Sequence, residues 1–200
     1  MTNRNVDSAS CAIGILIGGT GSRLGGVAKG LLCDTEGVPL VSRLQTRAQQ
    51  ALPISPLLLV GKHPAYAHLR LPRIEDDPKE SGPLGGLRAL LVWAQHKHLS
   101  RVVALACDMP RVPAELLSRL VTHVTNRAAV APQREGRWEP LCAVYEVARC
   151  LPVVEQLLSE GRRGLHHVLT RVQASSLPLG KLEEHWLDDW DTPTDLTRRP

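Results

Sequence analysis

The most constraining feature of the chain is the stretch Ile13 to Leu32, IGILIGGTGSRLGGVAKGLL. Ile13, Ile15, Leu16 and Ile17 form an uncharged, β-branched run of the kind found in a strand buried on both faces of a parallel sheet. Directly after it the chain loses its side chains. Gly18, Gly19, Gly21, Gly25 and Gly26 admit positive φ and let the backbone close on a ligand, so that successive N–H groups form an anion cradle. Arg23 and Lys29 stand inside this loop, a planar fork and a point charge that suit a polyphosphate.

Spacing excludes two familiar glycine loops. The dinucleotide fingerprint needs G-x-G-x-x-G, but Leu24 stands three residues after Gly21, and the second apolar run ends at Gly61 without an acid to hold a ribose. The P-loop needs a glycine before its lysine and Ser or Thr after it, whereas Lys29 lies between Ala28 and Gly30.

Beyond the loop, buried strands and helices alternate, which predicts a parallel α/β sheet. A turn at Glu36-Gly37 is followed by a helix over Pro39 to Leu52 with Leu40, Leu44 and Ala48 on one face. Strands are expected at Leu57 to Val60, Arg73 to Glu75, Val102 to Ala106, Ala128 to Ala131 and Leu141 to Tyr145, the last two paired across the polar turn before Trp138. Helices are expected from Gly82, over Pro113 to Val124, and over Val147 to Leu158. The 200 residues, 43% of them apolar, suit one domain over 1–200 with one substantial core, residues 1–10 reading as disordered.

Two turns carry candidate chemistry. Val102 to Ala106 delivers Cys107-Asp108-Met109-Pro110 to its carboxyl end, where open α/β sheets bind ligands. Pro110 holds Met109 extended, so Asp108 projects from the strand end, either as an Asx turn or as a carboxylate for Mg²⁺ on a triphosphate. The other is Gly82-Pro83-Leu84-Gly85-Gly86. Pro83 is ordinary at a helix start, but Gly85 and Gly86 each cost about 1 kcal/mol relative to Ala, so something is expected to pack where their Cβ would stand.

Net charge of +4 is modest, basic and acidic residues are interleaved, and aromatics total 3%, which disfavours nucleic-acid binding and suits anionic small molecules. No apolar run is long enough to cross a bilayer and the first residues lack the apolar segment of a secretory leader, so the expected location is cytoplasmic, with no membrane partner. Five cysteines without C-x-x-C spacing read as buried fillers, and His96, His98, His166 and His167 lack partners at zinc spacing.

The loop G-G-T-G-S-R-L-G-G-V-A-K, the G-P-L-G-G turn and C-D-M-P together resemble the molybdenum cofactor guanylyltransferase family of Rossmann-like nucleotidyltransferases, and the resemblance runs along most of the chain. It implies a three-layer α/β/α fold with a mostly parallel sheet, and transfer of GMP from GTP to the terminal phosphate of molybdopterin with release of pyrophosphate. It implies nucleotide contacts from Leu16, Ile17, Gly18, Gly19, Gly21, Lys29, Asp76 or Asp77, Gly82, Pro83, Leu84 and Asp108. Arg23, Lys29 and Asp108 would carry the chemistry, with Mg²⁺ on Asp108 and a second contact from Asp191. Arg162 and Arg163 are candidates for the phosphate of the second substrate, and transient contact with other molybdenum cofactor proteins is implied as well. The chain departs from the family at Ile17 and Ala28, where Ala and Asp are usual, at Gly61-Lys62-His63, where an Asn is missing, and at Glu139, which replaces a histidine. Two alternatives follow: cytidylyl or another small-phosphate nucleotidyl transfer, and a non-catalytic nucleotide-binding protein.

Overall fold

The computed structural model describes residues 10–18, 28–78 and 81–190. The first strand, β1 (Cys11–Leu16), is buried along its whole length. Helix α1 (Leu40–Ala51) follows, then β2 (Leu57–Val60), β3 (Arg73–Ile74), α2 (Gly82–His96) and β4 (Arg101–Ala106). The second half runs α3 (Ala114–Thr122), β5 (Ala129–Arg134), β6 (Arg137–Trp138), β7 (Cys142–Glu146), α4 (Val147–Ser159), α5 (His166–Arg171) and β8 (Ser175–Leu177).

These strands form one sheet in the order β3-β2-β1-β4-β7-β5-β6, with β8 on β5. Strands β1 to β4 are mutually parallel, and β1 lies in register with β4 so that Leu16 pairs with Ala106. Both strands therefore end side by side on the same edge. Only a short link joins β5 to β7, too short for the crossover a parallel pair requires, so β7 enters antiparallel between β4 and β5. The expected pairing of the two late strands is present, and β5 runs on to Arg134 to make a hairpin with β6 around Glu135 and Gly136, both at positive φ.

Period-two alternation divides the apolar side chains between two layers. Ile13, Ile15, Leu59, Val103 and Leu105 face Val41, Leu44 and Ala48 of α1 and Leu116, Leu117 and Leu120 of α3. Ala12, Leu58, Val102, Ala104 and Tyr145 face Leu87, Leu90 and Leu91 of α2, Val154 of α4 and Val168 of α5. Helix α2 sits very close to β1, because the space a Cβ at Gly14 would take is filled by the Leu90 side chain, 2.4 Å from that point. The result is the α/β/α sandwich with a mostly parallel sheet. Its crowded centre is β1 and β4, whose carboxyl ends lead on to Ile17-Gly18 and to Cys107-Asp108.

Candidate functional site

Strand β1 leaves the sheet at Leu16, and Ile17 and Gly18 continue over the edge, where Ile17 N–H still bonds to Val60 C=O at 2.9 Å. The backbone at Gly18 is packed against Gly61. A Cβ on Gly61 would stand 3.0 Å from Gly18 N, and Gly61 has φ of +117°, so that position takes only glycine. After the glycine loop the chain returns at Ala28 and makes a single 3₁₀ turn, Lys29–Leu31. This turn sends Lys29 to the end of β4, where its Nζ lies 3.1 Å from Asp108 Oδ2. The carboxylate side chain is 14% exposed and the lysine 26%, so the pair sits in a partly desolvated niche.

Two clefts meet at this pair. The first, about 210 Å³, is lined by Leu16, Ile17, Gly18, Lys29, Asp76 and Asp108, with Gly82 and Pro83 at the start of α2. The second, about 240 Å³, is lined by Lys29, Asp108, Met109, Glu139, Pro140 and Asp189, among others. Lys29, Ala106, Asp108 and Leu141 belong to both. Among these shared residues, Lys29 and Asp108 are the charged ones, so groups bound in the two clefts would both lie against that pair.

Asp76 and Asp77 have opposite fates. Asp76 lies between two glycines: a Cβ at Gly18 would stand 3.6 Å from its Oδ2, and one at Gly86 3.2 Å from its Oδ1. Burial and the neighbouring Glu75 carboxylate push its carboxyl above the usual range. Asp77 instead pairs with Arg88 on α2, which also reaches Glu155 on α4 at 3.1 Å. Of the two expected candidates for a nucleotide contact, Asp76 lines the first cleft and Asp77 does not.

Leu84, Arg162 and Arg163 stand away from the two clefts. Leu84 is fully buried in the α2 layer and lines neither cleft. Arg162 and Arg163 are exposed in the turn after α4 and line neither cleft. Gly19, Gly21, Arg23 and Asp191 lie outside the described residues. The space above Gly85 and Gly86 is occupied, as expected, but by the chain itself: Pro78 C=O would stand 2.8 Å from a Cβ at Gly85, and Leu16 Cδ2 3.1 Å from one at Gly86.

The wall of the second cleft contains Glu139. Burial raises the Glu139 carboxyl, opposed by Arg134 and assisted by the Asp189 charge. Around it, Asp188 accepts from Arg111 at 3.0 Å and from Arg134 at 2.9 Å, and Trp190 N–H bonds to Asp108 C=O at 2.9 Å. These contacts hold the segment 187–190 against the turn after β4. Beneath the site Cys107 is buried and its thiol is pushed up to about 12, so it is a neutral filler and not a nucleophile. All five cysteines are free.

The donors at the junction suit a hard cation. Asp108 offers carboxylate oxygens where the clefts meet and Asp189 lines the second cleft, and Mg²⁺ commonly takes one or two carboxylates and completes its shell with water and phosphate. No cluster of three or more His, Cys, Asp or Glu that would make an all-protein cage occurs among the described residues. Among those residues no helix is long and apolar enough to cross a membrane.

Residues 13–176 match the MobA-like NTP transferase domain family. A molybdenum cofactor guanylyltransferase of Pseudomonas putida is 33% identical over 189 residues, covering 93% of this chain and 95% of that protein. Another of the same name, from a second strain of that species, is 37% identical over 174 residues, covering 84% and 86%. Among solved structures, molybdopterin-guanine dinucleotide biosynthesis protein A from Archaeoglobus fulgidus has a TM-score of 0.73 at 24% identity, covering 92% of this chain and 94% of that one. The 4-diphosphocytidyl-2C-methyl-D-erythritol synthase of Anaerococcus prevotii shares the fold, with a TM-score of 0.69 at 9% identity and cover of 98% and 96%.

Proposed function

The chain belongs to the MobA-like NTP transferase family and is a nucleotidyltransferase of molybdenum cofactor synthesis, and we propose that it transfers GMP from GTP to the terminal phosphate of molybdopterin. The observation that carries the proposal is the meeting of two clefts at one cation–carboxylate pair, since nucleotidyl transfer needs two phosphates brought together and little else.

GTP occupies the first cleft with its phosphates at Gly18 and Lys29 and its nucleoside toward Asp76 and the start of α2. The glycine loop, with Gly19, Gly21 and Arg23, supplies further contacts to the phosphates. Molybdopterin occupies the second cleft. An oxygen of its terminal phosphate forms the new bond to the α-phosphorus, the bond from that phosphorus to the bridging oxygen breaks, and pyrophosphate leaves with the electron pair. The attacking phosphomonoester is already ionised near neutral pH, so no general base is required. Lys29 holds positive charge where the transferring phosphoryl oxygens gain negative charge, and Asp108 keeps that ammonium in place. Asp108, with Asp191, is the proposed seat of Mg²⁺, which when bound would neutralise charge on the phosphates. The enzyme acts in the cytoplasm, in transient contact with other proteins of the same cofactor.

A panel of GTP, CTP, ATP and UTP with Mg²⁺ and molybdopterin, read by pyrophosphate release, tests the reading. GTP is expected to stand out, because a carboxylate at Asp76 accepts from guanine N1–H and its amino group, a donor pair that adenine lacks. Preference for CTP would move the assignment to cytidylyl transfer. GTP binding without release would mark a non-catalytic binding protein.

A further inference from the structure

We propose that Tyr66 is a positioning residue of the transfer reaction, its buried hydroxyl fixing the peptide after Lys29 to the strand end that carries Asp108. The inference rests on the role given above to that pair. Tyr66 belongs to a 3₁₀ turn, Pro64–His68, between β2 and β3, far in sequence from both residues, and it is fully buried. Its hydroxyl accepts the Gly30 N–H at 2.9 Å and points its own proton toward Cys107 Sγ at 4.0 Å. Gly30 follows Lys29 and Cys107 precedes Asp108, so one oxygen spans the neighbours of both reacting groups.

Packing at Gly30 shows how little slack this junction has. A Cβ there would stand 2.9 Å from the phenol oxygen, 3.0 Å from Cys107 Cβ and 3.2 Å from Val41 Cβ. The Lys29–Leu31 turn has no side-chain cap at its start, and the phenol anchors it at the Gly30 N–H. Tyr66 is itself held: Arg73 Nη2 donates to its carbonyl at 2.6 Å, and the His63 ring meets it edge-on at 5.6 Å. A phenylalanine would fill the same volume. What needs explaining is therefore the hydroxyl alone, and its contacts are with the two strands of chain that hold Lys29 and Asp108 at 3.1 Å.

The test is Tyr66→Phe in the full chain, with GTP, Mg²⁺ and molybdopterin. The expected result is a kcat lowered about ten- to a hundredfold, with KM for GTP within about threefold, as for a misplaced group and not a lost binding contact. In the Lys29→Ala background the same substitution should lower kcat less than about twofold, because the group it positions is gone. Exchange of the Gly30 amide, followed by NMR without substrates, should speed up at least about tenfold. Unchanged kcat in Tyr66→Phe, or a loss that simply multiplies with that of Lys29→Ala, would overturn the proposal. If Tyr66→Phe does not fold, Gly30→Ala, whose Cβ displaces the phenol, should show the same lack of multiplication, and multiplication there would overturn it. If the wild-type chain releases no pyrophosphate, the transfer reading fails on its own. The amide exchange then decides the positioning role, and an unchanged rate overturns it.

Discussion

Gly85→Ala separates two explanations of the G-P-L-G-G turn by the sign of a stability change. Gly85 lies inside α2 without a left-handed φ, so alanine fits the backbone there. If the missing Cβ left room for a ligand, the free protein would gain about 1 kcal/mol from helix propensity. In the structure the room is filled: the new Cβ would stand 2.8 Å from Pro78 C=O and 2.9 Å from Ser81 Cβ. The first is a backbone atom and the second is one bond from the backbone, so neither swings aside as a long side chain would. Moving them also strains the Asp77 N–H bond to Gly85 C=O, already 3.4 Å. Overpacking of this kind costs about 1–3 kcal/mol, here toward the upper end, and offsets the propensity gain to leave about 1–2 kcal/mol of destabilisation. With an m-value of about 2 kcal/mol/M in urea, the unfolding midpoint should fall by about 0.5–1 M with m unchanged. A midpoint that rises in the absence of nucleotide would refute the packing argument.

Asp108→Asn keeps the shape of the turn but removes its charge, so Mg²⁺-dependent pyrophosphate release should fall by about a hundredfold or more while the melting temperature moves little. Asp76→Asn should raise KM for GTP by about 5- to 150-fold, from lost hydrogen bonds worth about 1–3 kcal/mol, whereas Asp77→Asn should leave it unchanged because its partner is Arg88. Because the folded Asp76 carboxyl titrates above its unfolded value of 3.8, the native state holds the proton more tightly and stability falls as pH rises through that window. Asp76→Asn should therefore be more stable than wild type at neutral pH and lose that advantage below about pH 3.8, read from urea midpoints against pH. Replacing both Arg162 and Arg163 by Ala should leave KM for molybdopterin unchanged, and a large rise would restore them to the site.

The legible parts of this chain were those where one residue type has one use. Apolar runs such as Leu57 to Val60 became strands with those bounds, and Val102 to Ala106 with one residue added at its start. Asp108 stood out because a strand end and a proline leave a carboxylate little choice of direction. Choice between adjacent equals was not legible: Asp76 and Asp77 differ only through Arg88, eleven residues on, and a sequence does not say which of two aspartates an arginine will take. The same holds for Gly85 and Gly86, where the occupant of the empty space was chain and not ligand. Helix α5 and strand β8 escaped notice because they are six and three residues long, below the length at which periodicity shows. Tyr66 gave no signal, since its function depends on a hydroxyl meeting Gly30, 36 positions earlier.

The bond from Trp190 N–H to Asp108 C=O bears on how the protein is made. A ribosome releases the chain from its amino end at about 5–20 residues per second, so β1, α2 and β4 emerge and can associate several seconds before residue 190 does. During that interval the turn bearing Asp108 lacks its last fastening, and the nascent sheet edge between β4 and the still-missing β7 is open to mispairing. That fastening therefore waits for residue 190. The lining of the first cleft is complete once Leu141 has been made, whereas the second also waits for Leu187 and Asp189.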